Sequence, residues 1–292
     1  MSRRWIFVAG LAAFAGVLAA VAFRKGATRT LKSDWPVTFA HRGASCKAPE
    51  NTLEAFRAAI EAGAQGLELD VHMTRDGRIV VVHDATVDRT TDGSGAVKEM
   101  TLEEIRGLDA GYRFSPDGGS SYPYRGRDLR VPTLEEIFHE FPDAAVNVEI
   151  KEVGPGIERA VLSVIEEAGA EGRTLVASGK HEVIERFRRV AGREIPTAAS
   201  RCEIRTFYLL SRLRLEGLLR PAYDALQIPV SYRGIRLVTP RFVEAAHDRG
   251  VRVDVWTINE PSEMRFLLDI GVDAVMTDRP ETLVGVLEER RR

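Results

Sequence analysis

Gly66-Leu67-Glu68-Leu69-Asp70-Val71-His72-Met73-Thr74-Arg75-Asp76-Gly77-Arg78-Ile79-Val80-Val81-Val82-His83 decides how the chain is built. Leu67–Val71 and Ile79–Val82 are short apolar runs of strand character. The linker Thr74-Arg75-Asp76-Gly77 is too short for a parallel crossover, and Asp-Gly between two such runs signals a hairpin. With the turn centred between Arg75 and Asp76, Glu68 is predicted to pair with His83, and the period-two rule puts Asp70 on the same face. The second run is therefore expected to fold back antiparallel onto an overrunning first strand, bringing two carboxylates and an imidazole together.

On both sides of this hairpin, β-branched runs alternate with segments of helical period, the pattern of repeated βα units around a parallel sheet. The predicted strands are Val37–Ala40, Leu67–Val71, Val146–Ile150, Thr174–Ser178, Ile195–Ala199, Ala225–Ile228, Val251–Trp256 and Ala274–Thr277. Helices are predicted over Thr52–Ala62, after Asn51 as a routine N-cap, over Thr133–Glu140, and over Pro240–Asp248 after Thr239. Gly63, Gly169, Gly250 and Gly271 follow apolar-periodic stretches where a left-handed C′ position favours glycine. The fold class is α/β, a (β/α)8 TIM-type barrel, which fits in about 200–250 residues as one unit. Ala85–Arg130, with its Gly-rich turns and Tyr112, Phe114, Tyr122 and Tyr124, reads as a rim insertion that either covers substrate or packs itself down.

Two further segments complete the organisation: residues 1–34 as an N-terminal anchor or signal segment and linker, and 35–292 as the barrel. Ile6–Phe23 carries no charge, with Arg3 and Arg4 before it and Arg24 and Lys25 after. It barely reaches the length of a membrane span, so a signal peptide cleaved after Ala20-Val21-Ala22 is the alternative. The basic pair that follows is the mark of an anchor, and a single-pass N-terminal membrane helix is expected, its orientation left open by positive-inside counting.

A net charge of −2 creates no field for polyanions, so a nucleic-acid partner is not expected. Cys46 and Cys202 lack the spacing of a zinc knuckle or redox pair.

In barrels of this kind the polar residues at the C-terminal ends of strands carry the chemistry. Those ends supply His41-Arg42-Gly43, Glu68-Leu69-Asp70, Glu149-Ile150-Lys151 and Trp256. Glu68, Asp70 and Glu149 in one mouth would repel strongly unless a cation neutralised them, and oxygen-only donors suit Mg²⁺ or Ca²⁺. The plainer alternative pairs these acids with Arg42 and Lys151 as buried ion pairs. Fixed cations beside a metal ion leave room for an anion between them, and a phosphodiester fits: Arg42 takes its oxygens bidentately and Lys151 acts as a point charge. His41 and His83 meet the need for proton transfer as acid and base. Glu50 is a candidate to orient His41 or Arg42, and Trp256 offers a flat wall for a carbon chain or fills the barrel top. His72, His139, His181 and His247 read as surface or supporting residues.

His41-Arg42-Gly43-Ala44, Ala48-Pro49-Glu50-Asn51-Thr52, Glu68-Leu69-Asp70-Val71, Val82-His83-Asp84, Val148-Glu149-Ile150-Lys151, Val255-Trp256-Thr257 and Thr277-Asp278-Arg279-Pro280 resemble, in order and spacing, the glycerophosphodiester phosphodiesterase family. The resemblance runs from about Val37 to Leu287. It implies a barrel related to that of phosphatidylinositol-specific phospholipases, a Ca²⁺ or Mg²⁺ ion on Glu68, Asp70 and Glu149, acid–base catalysis by His41 and His83, and phosphate contacts from Arg42 and Lys151. The implied reaction releases glycerol 3-phosphate and an alcohol. A lysophospholipase D working on lysophospholipids at a membrane shares that chemistry, and a non-catalytic anion-binding barrel is the reading from another class.

Overall fold

A computed structural model describes residues 37–291. The segment Ile6–Phe23, expected to be an anchor, lies outside the described residues; among those described, no helix is long and apolar enough to cross a membrane.

The strands are β1 (Thr38–His41), β2 (Gly66–Met73), β3 (Ile79–Val81), β4 (Ala145–Ile150), β5 (Thr174–Ala177), β6 (Ala225–Pro229), β7 (Ser231–Tyr232), β8 (Ile235–Arg236), β9 (Arg252–Trp256) and β10 (Ala274–Thr277). The helices are α1 (Leu53–Glu61), α2 (Leu102–Arg106), α3 (Leu134–Glu140), α4 (Ile157–Glu167), α5 (His181–Ala191), α6 (Arg201–Arg212), α7 (Pro240–His247), α8 (Pro261–Asp269) and α9 (Pro280–Arg291). The main sheet is ordered β5-β4-β2-β1-β10-β9-β6, with β3 off this path on β2. Each neighbouring pair along the path is parallel, which gives a TIM-like fold.

The strand expected at Ile195–Ala199 is reduced to two bridges, Val176 to Thr197 and Ala198 to Ala225, which join the two edges of the sheet. Pro196 has no amide hydrogen to give to a ladder, so no longer pairing develops there. β7 and β8 form a small antiparallel hairpin beyond β6.

Alternation along β2 sorts its side chains. Leu67, Leu69 and Val71 pack outward with Phe56 and Ile137 of the helices. Gly66, Glu68 and Asp70 take the inner face. The barrel interior is lined by small residues around Phe39 and Met276, among them Ala145, Ala177, Ala225 and Ala274. Gly66 must lack a side chain, because a Cβ there would lie 2.5 Å from the Phe39 ring.

The hairpin forms, but its register differs by one residue from expectation: Val71 pairs with Val81 and Met73 with Ile79. Thr74 N donates to Arg78 O at 2.9 Å, so the loop is the three residues Arg75-Asp76-Gly77, centred on Asp76, with Gly77 at φ +81°. That is a three-residue turn closed by a left-handed glycine, its centre on Asp76 and not between Arg75 and Asp76 as expected. Val82, not Val81, therefore stands opposite Asp70, and Val82 N donates to Asp70 O at 2.9 Å. His83 does not pair with Glu68; it lies past the end of β3, outside the alternation.

Helix starts follow their caps. Thr133 and Glu136 form a capping box at α3, and Thr239 caps α7 with Pro240 in the first turn. For α1 the cap is Thr52, whose hydroxyl accepts from Ala55 N, so the expectation of Asn51 in that role is corrected. Asn51 has φ +57° and sends its side chain elsewhere. The rim insertion holds its own apolar cluster, with Val87, Val97, Ile105 and Leu129 packed on Val80 and Val82 of the hairpin. Above it, Arg125 lies between the rings of Tyr112 and Tyr122, 4.1 and 3.9 Å from their centroids. Cys46 and Cys202 are free thiols.

Candidate active site

The chain turns sharply at the end of β1. Arg42 and Gly43 have φ of +57° and +85°, and a Cβ on Gly43 would sit 2.6 Å from the backbone of Ala55. The turn is fastened to β2, since Arg42 N donates to Glu68 Oε2 at 3.1 Å. His41 is thereby left at the mouth, in register with Glu68.

His41 Nδ1 is 2.7 Å from Asp278 Oδ1. Asp278 also accepts from Ser45 Oγ at 2.9 Å and from Asn259 Nδ2 at 2.7 Å. Burial works against ionisation of this carboxyl, but the bonds from His41 and Asn259 outweigh it and hold its pKa below the usual range. For His41, burial favours the neutral ring, yet the Asp278 bond and the Glu68 charge prevail and raise its pKa.

His83 Nδ1 is 2.6 Å from Asp84 Oδ1. Burial alone would raise the pKa of Asp84; bonds from Arg89 and His83 bring it down to about 2. Both imidazoles thus have Nδ1 bound to a carboxylate, which fixes the tautomer and leaves Nε2 on the far side of the ring from that acid. His72 is buried, 3.2 Å by Nε2 from His83 O, and burial lowers its pKa.

Glu68, Asp70 and Glu149 come together, each offering an oxygen within 4.8 Å of the others. Asp70 and Glu149 are register partners on β2 and β4. The ion-pair alternative is partly realised. Lys151 Nζ is 3.0 Å from Asp70 Oδ1 and 2.7 Å from Glu149 Oε2, and Arg42 Nε is 3.2 Å from Asp70 Oδ2. Asn51 Nδ2 adds a bond of 3.1 Å to Asp70 Oδ2. Burial opposes the Asp70 charge, but Lys151 and Arg42 hold its pKa low.

Among the described residues Glu68 has no such cationic partner. Burial first, then the Asp70 and Glu149 charges, push its pKa up to about 8. The cluster is thus short of positive charge at Glu68, and the all-oxygen donor set fits a hard divalent cation, Mg²⁺ or Ca²⁺.

Arg42 Nη1 donates to Glu50 Oε1 at 3.0 Å, so Glu50 contacts Arg42 and not His41. Trp256 ends β9 with 41% of its surface exposed, so it does not fill the barrel top. Sequence reasoning gave no role to Asp278, Asp84 or Arg89, and gave Asn51 only that of a helix cap. Asp278 had a signal, since it directly follows β10 and strand ends carry the chemistry here. Asp84 had only its place beside His83.

The model of the Glycerophosphoryl diester phosphodiesterase family matches residues 41–282. The chain is 37% identical over 264 residues to the glycerophosphodiester phosphodiesterase of Caldanaerobacter subterraneus subsp. tengcongensis, covering 87% of this chain and 98% of that protein. Among solved structures it is similar to the glycerophosphoryl diester phosphodiesterase domain of a Mycobacterium tuberculosis protein, with TM-score 0.76, 25% identity, and coverage of 88% of this chain and 100% of that one. An Oleispira antarctica phosphodiesterase, solved in complex with the product sn-glycerol-3-phosphate, aligns with TM-score 0.68 and 27% identity over 88% of this chain and 98% of that one. A TIM-like barrel whose mouth carries two carboxylate-bound histidines and an acidic cluster, matched by this family from His41 onward, belongs to a phosphodiesterase, and the chain is a member of the glycerophosphoryl diester phosphodiesterase family.

Proposed function

We propose that the chain hydrolyses glycerophosphodiesters to glycerol 3-phosphate and an alcohol, with His41 and His83 as acid and base beside a divalent cation held by Glu68, Asp70 and Glu149. The observation that carries the reading is the pair of carboxylate-bound imidazoles, His41 on Asp278 and His83 on Asp84, at 2.7 and 2.6 Å. A divalent cation on the three acids supplies Lewis-acid stabilisation of charge on the phosphoryl oxygens.

The remaining work belongs to side chains. Arg42 and Lys151 hold the non-bridging oxygens, with Arg42 oriented by Glu50. His83 accepts at Nε2 a proton of the attacking water as the water oxygen bonds to phosphorus. His41, whose pKa burial lowers but the Asp278 bond raises, gives its Nε2 proton to the departing alcohol oxygen as the P–O bond breaks. The exposed ring of Trp256 offers a wall to the glycerol carbons.

A lysophospholipid substrate is a second reading, favoured by apolar surface near the mouth. Pro229 at the end of β6 pairs with Trp256, and the β7–β8 hairpin that follows exposes Tyr232 and Ile235 by 52% and 57%. The test is release of glycerol 3-phosphate from glycerophosphocholine, compared with turnover of lysophosphatidylcholine. His41→Ala and His83→Ala should each abolish release while the fold persists, and near-normal turnover in both would sink the mechanism. A strong preference for the lipid would move the substrate to the second reading.

A further inference from the structure

Arg89 has no part in the scheme above, yet it touches both halves of the site. It lies in the segment after β3, between Val87 and Thr91, both fully buried. Thr91 Oγ1 ties the segment together by donating to Val87 O at 2.8 Å. From this footing the half-exposed guanidinium donates through Nε to Asp84 Oδ2 at 2.6 Å. It also donates through Nη1 and Nη2 to Glu50 Oε2 and Oε1, both at 2.7 Å.

Each carboxylate has a second duty. Asp84 Oδ1 lies 2.6 Å from His83 Nδ1, and Glu50 Oε1 accepts from Arg42 Nη1 at 3.0 Å. One planar fork thus fixes two acids, and each acid fixes one working group.

We propose that Arg89 is a positioning residue that couples His83 to Arg42, setting the rotamers of Asp84 and Glu50 with a single guanidinium. The inference rests on the roles given above to His83 and Arg42. Without Arg89, the two carboxylates lose the cation they share. Asp84 is freed to turn from His83, and Glu50 is freed to turn and carry Arg42 out of line with the substrate phosphate. A lysine restores the charge but not the fork, since an ammonium is a point donor on a flexible stem.

The test is a set of double-mutant cycles with glycerophosphocholine as substrate, using Arg89→Met, Arg89→Lys, Asp84→Asn and Glu50→Gln, with a thermal melt to confirm folding. Arg89→Met is expected to lower kcat and raise KM, with a combined loss of about 10- to 100-fold, the usual effect of removing a supporting partner. Two routes should separate in the doubles. In the Asp84→Asn background Arg89→Met should lower kcat little further, and in the Glu50→Gln background it should raise KM little further. Arg89→Lys should recover part of the loss at most.

Multiplicative effects in both cycles, or wild-type constants in Arg89→Lys, would overturn the inference. His83→Ala and Arg42→Met separate this failure from that of the functional reading. If both are impaired while the cycles are multiplicative, the coupling alone is wrong. If either keeps near-normal constants, the role on which the coupling rests is wrong, and the coupling falls with it.

Discussion

His41 Nδ1 and Asp278 Oδ1 meet at 2.7 Å across 237 residues of sequence, and the contact exists only because β1 and β10 are neighbours in the ring. Asp278 fixes which imidazole nitrogen carries the proton and raises the pKa of the ring. Asp278→Asn should therefore lower kcat by about 10- to 100-fold, as supporting carboxylates generally do. Removing a cause of the raised pKa lowers it, so the alkaline limb of kcat/KM should move to lower pH. A pH–rate profile decides the matter; an unmoved limb would take the acid role away from His41.

Asn51 predicts a separation of backbone from side-chain effects. Its φ of +57° is left-handed, and its amide holds Asp70 at 3.1 Å. Asn51→Gly keeps the backbone comfortable and deletes the bond, so activity should fall about tenfold with stability nearly unchanged. Asn51→Ala should show the same loss of activity plus about 1 kcal/mol of destabilisation from the left-handed conformation. Melting curves and initial rates on the two variants check this, and full activity in Asn51→Gly would refute it.

These two residues also show where sequence reading stops. Strand periodicity and helix caps are local, so the βα order, the hairpin and the capping box at Thr133 were legible. Hairpin register hangs on whether the turn is centred between Arg75 and Asp76 or on Asp76 itself, and the three-residue loop closed by Gly77 moved His83 out of the pairing with Glu68. Pro196 likewise reduced a predicted strand to two bridges. The acids on β2 and β4 were legible from strand position alone, because alternation puts them on the inner face. Asp278 was not paired with His41, since only closure of the ring brings β10 beside β1. Asn51 looked like a routine cap because composition at a helix start does not reveal that Thr52 has taken the role.

Gly43 carries a stability prediction. A Cβ there would lie 2.6 Å from Ala55 C, and φ is +85°. Crowding a packed backbone costs about 1–3 kcal/mol and the left-handed conformation about 1–2 more, so Gly43→Ala should lose about 3 kcal/mol in denaturant unfolding. A variant within 0.5 kcal/mol of wild type, about the spread of ordinary surface changes, would show that the turn after His41 relaxes freely.

Glu68 makes the strongest prediction about the cation. Its folded pKa is raised from 4.5 to about 8 by burial and by the Asp70 and Glu149 charges. Between those values the folded protein keeps a proton that the unfolded chain has released, so in metal-free protein this residue lowers stability as pH rises through that window. A bound divalent cation reverses the preference, because a ligand carboxylate must be deprotonated and binding then expels the proton. Affinity for Mg²⁺ or Ca²⁺ should rise with pH and level off above about 8. Calorimetry near pH 6.5, in buffers of different ionisation enthalpy, should find about one proton released per ion from Glu68. His41 adds to the same trend, since a cation bound beside it opposes positive charge on the ring. The Glu68 share is therefore the difference between wild type and Glu68→Gln, in which affinity should be weaker and its pH dependence flatter. Equal proton release by the two proteins would remove Glu68 from the ligand set, and no binding of either ion would remove the cation itself.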